Sequence, residues 1–382
     1  MLPLRVQLIA PSAVRQTITG ISQFIKQLQH SIRAAGCEAW TTYPSPITLP
    51  WPINQSLKLA GLDLGSVSTL YPVRAGVEKA DVYHLMFQSL AALLFVQRFP
   101  GPVVATALDI IPYLVRGDPE LNYFTKRRQY WAYRLSLAGL QRAAAVVTIS
   151  QYAKRTLVES LNLSEARVHV IPIAVGRAKF RPRMVPQAFY AKYHLDRHAQ
   201  YILYVGTNDP RKNLRTLLQA FALVKRECDN VKLLKVGGPN SCQAHARLLI
   251  LAAALGIQDD VTFLEAIPDD EIPLFYNVAS VFTTASLHEG FGLPVLEAMA
   301  CGTPTVCSNA TALPEVAGEG ALLVDPTDAA GLATALLHVL QDHCLRKRLA
   351  ERGFIQAAHF TTSRMGQESL RVYQSVLQKP RA

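Results

Sequence analysis

The sequence predicts an α/β protein built as two doubly wound parallel-sheet domains in tandem, and three observations predict it. The chain has 382 residues, enough for two domains at roughly 100–200 residues each. Short apolar runs rich in Val, Ile and Leu alternate with longer helix-period segments through both halves, the pattern of parallel sheets covered on both faces. A proline-punctuated stretch without strand signal, residues 176–198, separates the two series and reads as the interdomain connection.

In the first series the expected strands are Val6–Ala10, Ala39–Tyr43, Val82–Leu85, Val103–Ala107, Val146–Ile149 and Val168–Ile171. Helices are expected at Ile18–Ala35, Tyr123–Arg142 and Gln151–Leu161, the last capped by Ser150. Residues 44–80, with Pro44, Pro46, Pro50, Pro52 and Trp51, read as a loop that departs from the alternation. The second series predicts strands at Tyr201–Val205, Lys232–Val236, Val261–Leu264, Val281–Thr284, Thr305–Cys307 and Ala321–Val324. Leu214, Leu217, Leu218 and Phe221 recur at i, i+3, i+4 and i+7, so the first helix of this series turns one apolar face to its sheet, with Asn213 placed to cap it.

Composition narrows the function classes. Half the residues are hydrophobic and 18% are charged, which excludes disorder and collagen-like structure. No run reaches the roughly 18–20 apolar residues that cross a bilayer, and the first residues lack a secretory pattern, so a cytoplasmic protein is expected. Cys37, Cys228, Cys242, Cys301, Cys307 and Cys344 show no metal-ligand spacing and read as reduced, mostly buried thiols. Charge is uneven: residues 1–185 carry 21 Lys/Arg against 9 Asp/Glu, whereas residues 186–382 carry 18 against 19. The excess suits an anionic partner of the first half, or a solubilising surface.

The densest chemical signal is Ser286-Leu-His-Glu-Gly-Phe-Gly-Leu-Pro-Val-Leu-Glu-Ala-Met-Ala-Cys-Gly-Thr-Pro304, directly after an expected strand. Pro294 suits a first helical turn, and Gly302 followed by Pro304 stops the helix. Gly290 and Gly292 let backbone approach a ligand where the helix presents unpaired N–H groups and the positive end of its dipole, an anion site. Glu289 precedes the helix and Glu297 lies one turn inside it, and carboxylates are natural acceptors for sugar diols.

This string resembles the signature of retaining, nucleotide-sugar-dependent glycosyltransferases of family 4, which have the two-domain GT-B fold. The resemblance continues through Leu313-Pro-Glu-Val-Ala317, Gly320-Ala-Leu-Leu-Val-Asp-Pro326 and Tyr204-Val-Gly-Thr-Asn-Asp-Pro-Arg-Lys-Asn-Leu214, covering residues 200–345 and, more thinly, the N-terminal half. It implies two Rossmann-like domains facing a cleft: residues 1–180 for the acceptor, 181–360 for the nucleotide sugar, and a C-terminal helix in 361–382 returning to the N-terminal domain. It implies that Glu297 holds the ribose, that Glu289 contacts the donor sugar, and that backbone amides of Phe291, Gly292 and Leu293 meet the sugar and diphosphate. Lys212 and Arg211 match the position that neutralises the leaving diphosphate, and Gly206 ends the strand that clears space for it. Asp109 is the candidate acceptor-side catalytic residue.

The N-terminal half departs from the family pattern. Arg15-Gln-Thr-Ile-Thr-Gly-Ile21 keeps one glycine, Gly20, of the usual glycine-rich loop; Leu108 stands where relatives have His; Ile173 and Ala174 replace Asn-Gly; and Thr207 occupies a position where several relatives place Arg. The implied reaction is hexosyl transfer, mannose- or glucose-type, from a UDP- or GDP-linked sugar to an acceptor hydroxyl of a glycan or lipid-linked acceptor. No metal or resident cofactor is expected. The alternative is a sugar-nucleotide-binding protein with a degraded acceptor site. A nucleic-acid partner is not expected, because aromatic-basic recognition modules are absent.

Two further segments carry expectations. Asn122-Tyr-Phe-Thr-Lys-Arg-Arg-Gln-Tyr-Trp-Ala-Tyr-Arg134 mixes Lys126, Arg127 and Arg128 with aromatic residues, a combination suited to an anionic headgroup surface at the inner face of a membrane, or to an amphipathic cover for the sheet. Asp269-Asp270-Glu271 precedes an expected helix, where acids complement the dipole and need not hold a metal.

Overall fold

The computed structural model describes residues 3–12, 20–44, 74–238 and 242–378. The chain divides into two compact units, Met1–Ala174 with Thr361–Ala382, and Val175–Phe360. Residues 175–180 therefore fall in the second unit, not with the first as the sequence suggests.

In the first unit β1 (Arg5–Ile9), β2 (Glu38–Thr42), β3 (Val82–Leu85), β4 (Val103–Thr106), β5 (Ala145–Thr148) and β6 (Val168–Val170) form a parallel sheet in the order β2-β1-β3-β4-β5-β6. β3, β4 and β5 are buried along their whole length, which is why their sequences show no apolar-polar alternation. The helices α1 (Gly20–Ala34), α2 (Arg127–Gly139) and α3 (Gln151–Leu161) follow strands of this sheet. Ser150 caps α3, its hydroxyl accepting from the Ala153 N–H at 3.0 Å.

In the second unit β7 (Gln200–Val205), β8 (Val231–Val236), β9 (Val261–Leu264), β10 (Val281–Thr284), β11 (Thr305–Ser308) and β12 (Ala321–Val324) pair in parallel in the order β12-β11-β10-β7-β8-β9. Its helices after β7 are α4 (Leu214–Glu227), α5 (Cys242–Ala254), α6 (Ile272–Val278), α7 (Leu293–Ala300), α8 (Leu313–Ala317), α9 (Ala329–Gln341) and α10 (His343–Ala357). The apolar face of α4 is buried at Leu214, Leu217, Leu218 and Phe221, each contributing roughly 1.5–3 kcal/mol. In each sheet winding reverses at one point, between β1 and β3 in the first and between β7 and β10 in the second. Ligands of such sheets bind outside the carboxyl ends of the strands at that point.

The last helix, α11 (Thr362–Gln378), belongs to the first unit and packs on α1. A Cβ at Gly366 would lie 2.2 Å from the Ser31 carbonyl oxygen, so only glycine permits this approach. His84 on β3 bonds both the Tyr373 hydroxyl of α11 and the Thr106 hydroxyl of β4, each at 2.8 Å. Burial lowers the His84 pKa to about 3, so the ring is neutral.

Several local expectations need correction. The helix expected from Tyr123 begins at Arg127: the Asn122 side chain accepts from the Phe124 N–H at 2.8 Å, and the Gln129 side chain accepts from the Lys126 N–H at 3.1 Å, which starts the helix after Lys126. Asn213 precedes α4 in the left-handed region, φ 54°, and its side chain accepts from the Thr216 hydroxyl and donates to the Pro326 carbonyl instead of capping the backbone. Residues 176–198 are no bare connection, because Phe189 stacks with Tyr193 and Phe275, both at 4.8 Å, and Phe180 lies edge-on to Tyr276. Cys37, Cys301 and Cys307 are buried, but Cys242 and Cys344 are exposed. Residues 13–19 and 45–73, including Pro46, Pro50, Trp51 and Pro52, lie outside the described residues. Among the described residues no helix is long and apolar enough to cross a membrane.

Candidate functional site

The site of the second unit is assembled at its switch point. β7 is followed by Gly206, whose N–H donates to the Val236 carbonyl at 2.8 Å. A Cβ at Gly237, φ +123°, would lie 2.5 Å from the Gly206 carbonyl oxygen, so the ends of β7 and β8 approach as only glycine allows. The chain then makes the turn Pro210–Lys212, started by Asp209, whose carboxylate accepts from the Arg211 N–H at 3.1 Å. From β10 it runs through Ser286, Glu289 and Gly292 into α7. The two connections are tied directly: the Leu287 N–H donates to the Arg211 carbonyl at 2.8 Å.

Side chains from both connections converge on Glu289. Arg211 donates to its Oε2 at 3.0 Å and to the His288 carbonyl at 2.8 Å; Lys212 donates to its Oε1; the Ser286 hydroxyl donates to the same oxygen at 2.9 Å. The Thr311 hydroxyl accepts from the Glu289 N–H at 3.0 Å. Glu289 is only 7% exposed. Burial alone would raise its pKa, but the Lys212 and Arg211 charges and the hydrogen bonds from Lys212 and Ser286 hold it down at about 2. The carboxylate is therefore charged across the physiological range.

Glu297 has a different shell. It is 8% exposed on α7, and its Oε2 accepts from the Tyr276 hydroxyl at 2.8 Å. Burial pushes its pKa up to about 7, partly opposed by the Tyr276 hydrogen bond and the Lys179 charge. Lys179 itself pairs with Asp269 at 2.6 Å.

Between the two carboxylates, Gly292 takes φ +113°, and a Cβ there would lie 2.5 Å from Leu313 Cδ2. Phe291 turns its ring inward against Phe360, with centroids 5.8 Å apart, anchoring the turn by its side chain. Leu293 and Pro294 open α7 with no side-chain cap. Pro294 has no N–H and the Val295 N–H donates to the Gly292 carbonyl at 3.0 Å, so within this turn it is the Leu293 N–H that can face a ligand.

Of the residues singled out from sequence, Arg211, Lys212 and Glu289 touch one another directly, and Gly206, Gly290, Phe291, Gly292, Leu293 and Glu297 belong to the same strand-end connections. Asp109 and Gly20 belong to the first unit: Gly20 opens α1, and Asp109 follows β4, its Oδ1 accepting from the Ile111 N–H at 3.0 Å. The acids at 269–271 find cations, Asp269 with Lys179 and Glu271 with Lys192 at 2.7 Å, Glu271 also accepting from the Tyr193 hydroxyl. No sequence motif flags Tyr276, nor Gln88 and Ser89 after β3, which are 4% and 3% exposed.

Residues 188–356 match the family described as Glycosyl transferases group 1, and residues 20–178 match Glycosyltransferase Family 4. Among curated proteins, the O-antigen chain mannosyltransferase B of Escherichia coli is 32% identical over 268 residues, which is 66% of this chain and 66% of that protein. The MMP alpha-(1->4)-mannosyltransferase of Mycolicibacterium hassiacum is 30% identical over 299 residues, 75% of this chain and 68% of that protein. The chain thus spans about two thirds of the length of each. Among solved structures, Anabaena HepE in complex with UDP-glucose superposes with a TM-score of 0.73 over 97% of this chain and 100% of that chain, at 18% identity, a likeness of fold.

Proposed function

Because the chain belongs to glycosyltransferase family 4, with the GT-B fold, we propose that it transfers a hexosyl group from a nucleotide diphosphate sugar to an acceptor hydroxyl in glycan synthesis. The observation that carries this reading is the convergence of Arg211, Lys212 and Glu289 beside the glycine-opened start of α7.

The donor diphosphate would lie on the backbone amides of Phe291, Gly292 and Leu293 and accept from Lys212 and Arg211. Glu289 would accept from sugar hydroxyls and Glu297 from those of the ribose. As the bond from the anomeric carbon to the diphosphate oxygen breaks, negative charge grows on the leaving group, and fixed cations stabilise that charge more than the ground state. Because Glu289 engages both cations, a bound diphosphate would share them with a carboxylate. The acceptor oxygen bonds the anomeric carbon on the face the diphosphate leaves, and its proton passes to a departing diphosphate oxygen, giving retention of configuration. Asp109 would serve the acceptor side.

A mannosyl donor is favoured by the names of the two curated relatives, and a nucleotide diphosphate by the ligand solved with HepE. A thermal-shift screen against UDP- and GDP-linked mannose and glucose tests both, since a ligand at 100 times its Kd adds about 2.7 kcal/mol to stability. Absence of any shift and of any turnover overturns the reading. The second reading, a sugar-nucleotide-binding protein with a degraded acceptor site, is motivated by Leu108, Ile173 and Ala174, and measured sugar transfer eliminates it.

Peripheral association with an anionic membrane at the cytoplasmic face is part of the proposal. It is supported by Trp131 and Leu135 on the outer face of α2, 56% and 51% exposed, with Arg134 5.3 Å from the Trp131 ring. Vesicles with and without anionic lipid, sedimented with the protein at physiological salt, test it. Equal recovery with both rejects it.

A further inference from the structure

We propose that a cavity at the amino ends of β7, β10 and β11 binds a sugar phosphate, with Arg346 and Lys347 of α10 as its cations and His343, Ser280 and Gln200 as further hydrogen-bonding side chains. It lies within the second unit, at the opposite ends of these strands from Glu289, and does not depend on the transferase reading.

The cavity measures about 470 Å³ and opens to solvent. Gln200 at the start of β7, Ser280 before β10 and Pro304 before β11 line one side of it. The other side is a single stripe of α10, His343, Arg346, Lys347 and Ala350, at i, i+3, i+4 and i+7. Arg346 Nη1 and Gln200 Nε2 donate to the same Leu340 carbonyl of α9, at 2.6 and 3.2 Å, which holds the two side chains together. The Ser280 hydroxyl oxygen accepts from the Tyr201 N–H at 3.4 Å, so its own O–H is left to donate. No carboxylate lines the cavity. Asp342, beside it in sequence, caps α10 by accepting from the Leu345 N–H at 2.9 Å. Cations in the opening turns of a helix oppose its dipole. The bond to α9 gives Arg346 a structural task, but no such bond holds Lys347. Nor is there a surplus of positive charge in this part of the chain, since residues 186–382 carry 18 Lys/Arg against 19 Asp/Glu. A cationic, acid-free cavity in a near-neutral half calls for a local cause, and a bound anion is one.

The lining limits which anion fits. Arg346 and Lys347 only donate, which suits the oxygens of a phosphate monoester. A phosphate alone would leave most of the volume unfilled, so the ligand carries a body. That body meets Ala279, Gly302, Pro304 and Ala350, with no aromatic ring on which a nucleobase could stack. Ser280 and the Gln200 amide oxygen can instead exchange hydrogen bonds with hydroxyls. A phosphorylated sugar satisfies both ends of the cavity.

The test is isothermal titration calorimetry of the full chain with mannose 6-phosphate, glucose 6-phosphate, inorganic phosphate and mannose. At least one sugar phosphate should bind saturably, and more tightly than inorganic phosphate or mannose. Lys347→Gln should raise its Kd about 10- to 100-fold and Ser280→Ala about three- to tenfold. The Lys347→Gln melting temperature should be unchanged or higher, because a cation opposing the α10 dipole has been removed. Saturable binding weakened by Lys347→Gln but not by Lys212→Ala sustains the site. Binding lost in Lys212→Ala and kept in Lys347→Gln would place the ligand beside Glu289 and overturn the proposal. So would the absence of saturable binding in the wild type, or inorganic phosphate binding as tightly as either sugar phosphate. If the wild type turns over no sugar nucleotide, the transferase reading fails while the calorimetry still decides this cavity.

Discussion

Glu289 and Glu297 stand eight residues apart on one strand-to-helix connection, are equally buried, and ionise in opposite directions. Around Glu289 the chain brings two cations and a hydroxyl; around Glu297 it brings the hydroxyl of Tyr276. Burial penalises both charges alike, so the partner decides. One carboxyl is a permanent anion that holds Arg211 and Lys212 in place. The other carries its proton into the neutral range, and is suited to a hydroxyl-bearing ligand in either state.

The largest effect should come from breaking the Glu289 side. Lys212→Ala removes one of the two cations from the leaving group, and sugar-transfer kcat should fall about 100- to 1000-fold, read from initial rates at saturating donor. A variant within threefold of wild type would remove Lys212 from the reaction.

Next in size is the pH dependence of stability. Glu297 titrates near 7 in the folded chain, above the unfolded value near 4.5, so the unfolded state releases this proton first as pH rises. Its contribution is therefore fully present below about pH 4.5 and is lost between there and pH 7, by about 3 kcal/mol. Glu289, held near 2, behaves oppositely: its contribution is present above pH 4.5 and lost as pH falls toward 2. Urea midpoints measured from pH 4 to 8 should fall less steeply in Glu297→Gln than in wild type, and parallel curves would contradict the assignment.

Between the carboxylates, Gly292→Ala should destabilise the protein by about 1–3 kcal/mol, because an L residue is strained at φ +113° and its Cβ meets Leu313. A thermal melt checks this, and an unchanged midpoint would show that the turn relaxes freely. The smallest effect is expected from Tyr276→Phe, which removes one hydrogen bond to Glu297, costs about 1 kcal/mol, and extends the stability decline to higher pH while its onset near pH 4.5 stays.

Much of this was legible in the residues. The strand at Val103–Thr106 is a continuous β-branched or apolar run, and α4 shows its buried face at 3.6-residue spacing, because local periodicity and burial share one cause. The turn from β10 into α7 was legible because glycine and proline mark backbone geometry directly. The start of α2 was not, since the Asn122 and Gln129 side chains compete locally with helix formation. Nor was the burial of Gln88 and Ser89 after β3, because burial of a polar side chain is a property of the packed fold.

By itself the sequence determined the two parallel sheets, the glycine-opened start of α7 and the presence of two acids and two cations near it, since these follow from interactions over a few residues. Tertiary structure alone decided that Lys212 meets Glu289 across 77 positions and that Tyr276 meets Glu297 across 21. Electrostatic energy depends on distance and burial, and a chain acquires both only when strands far apart in sequence align their ends.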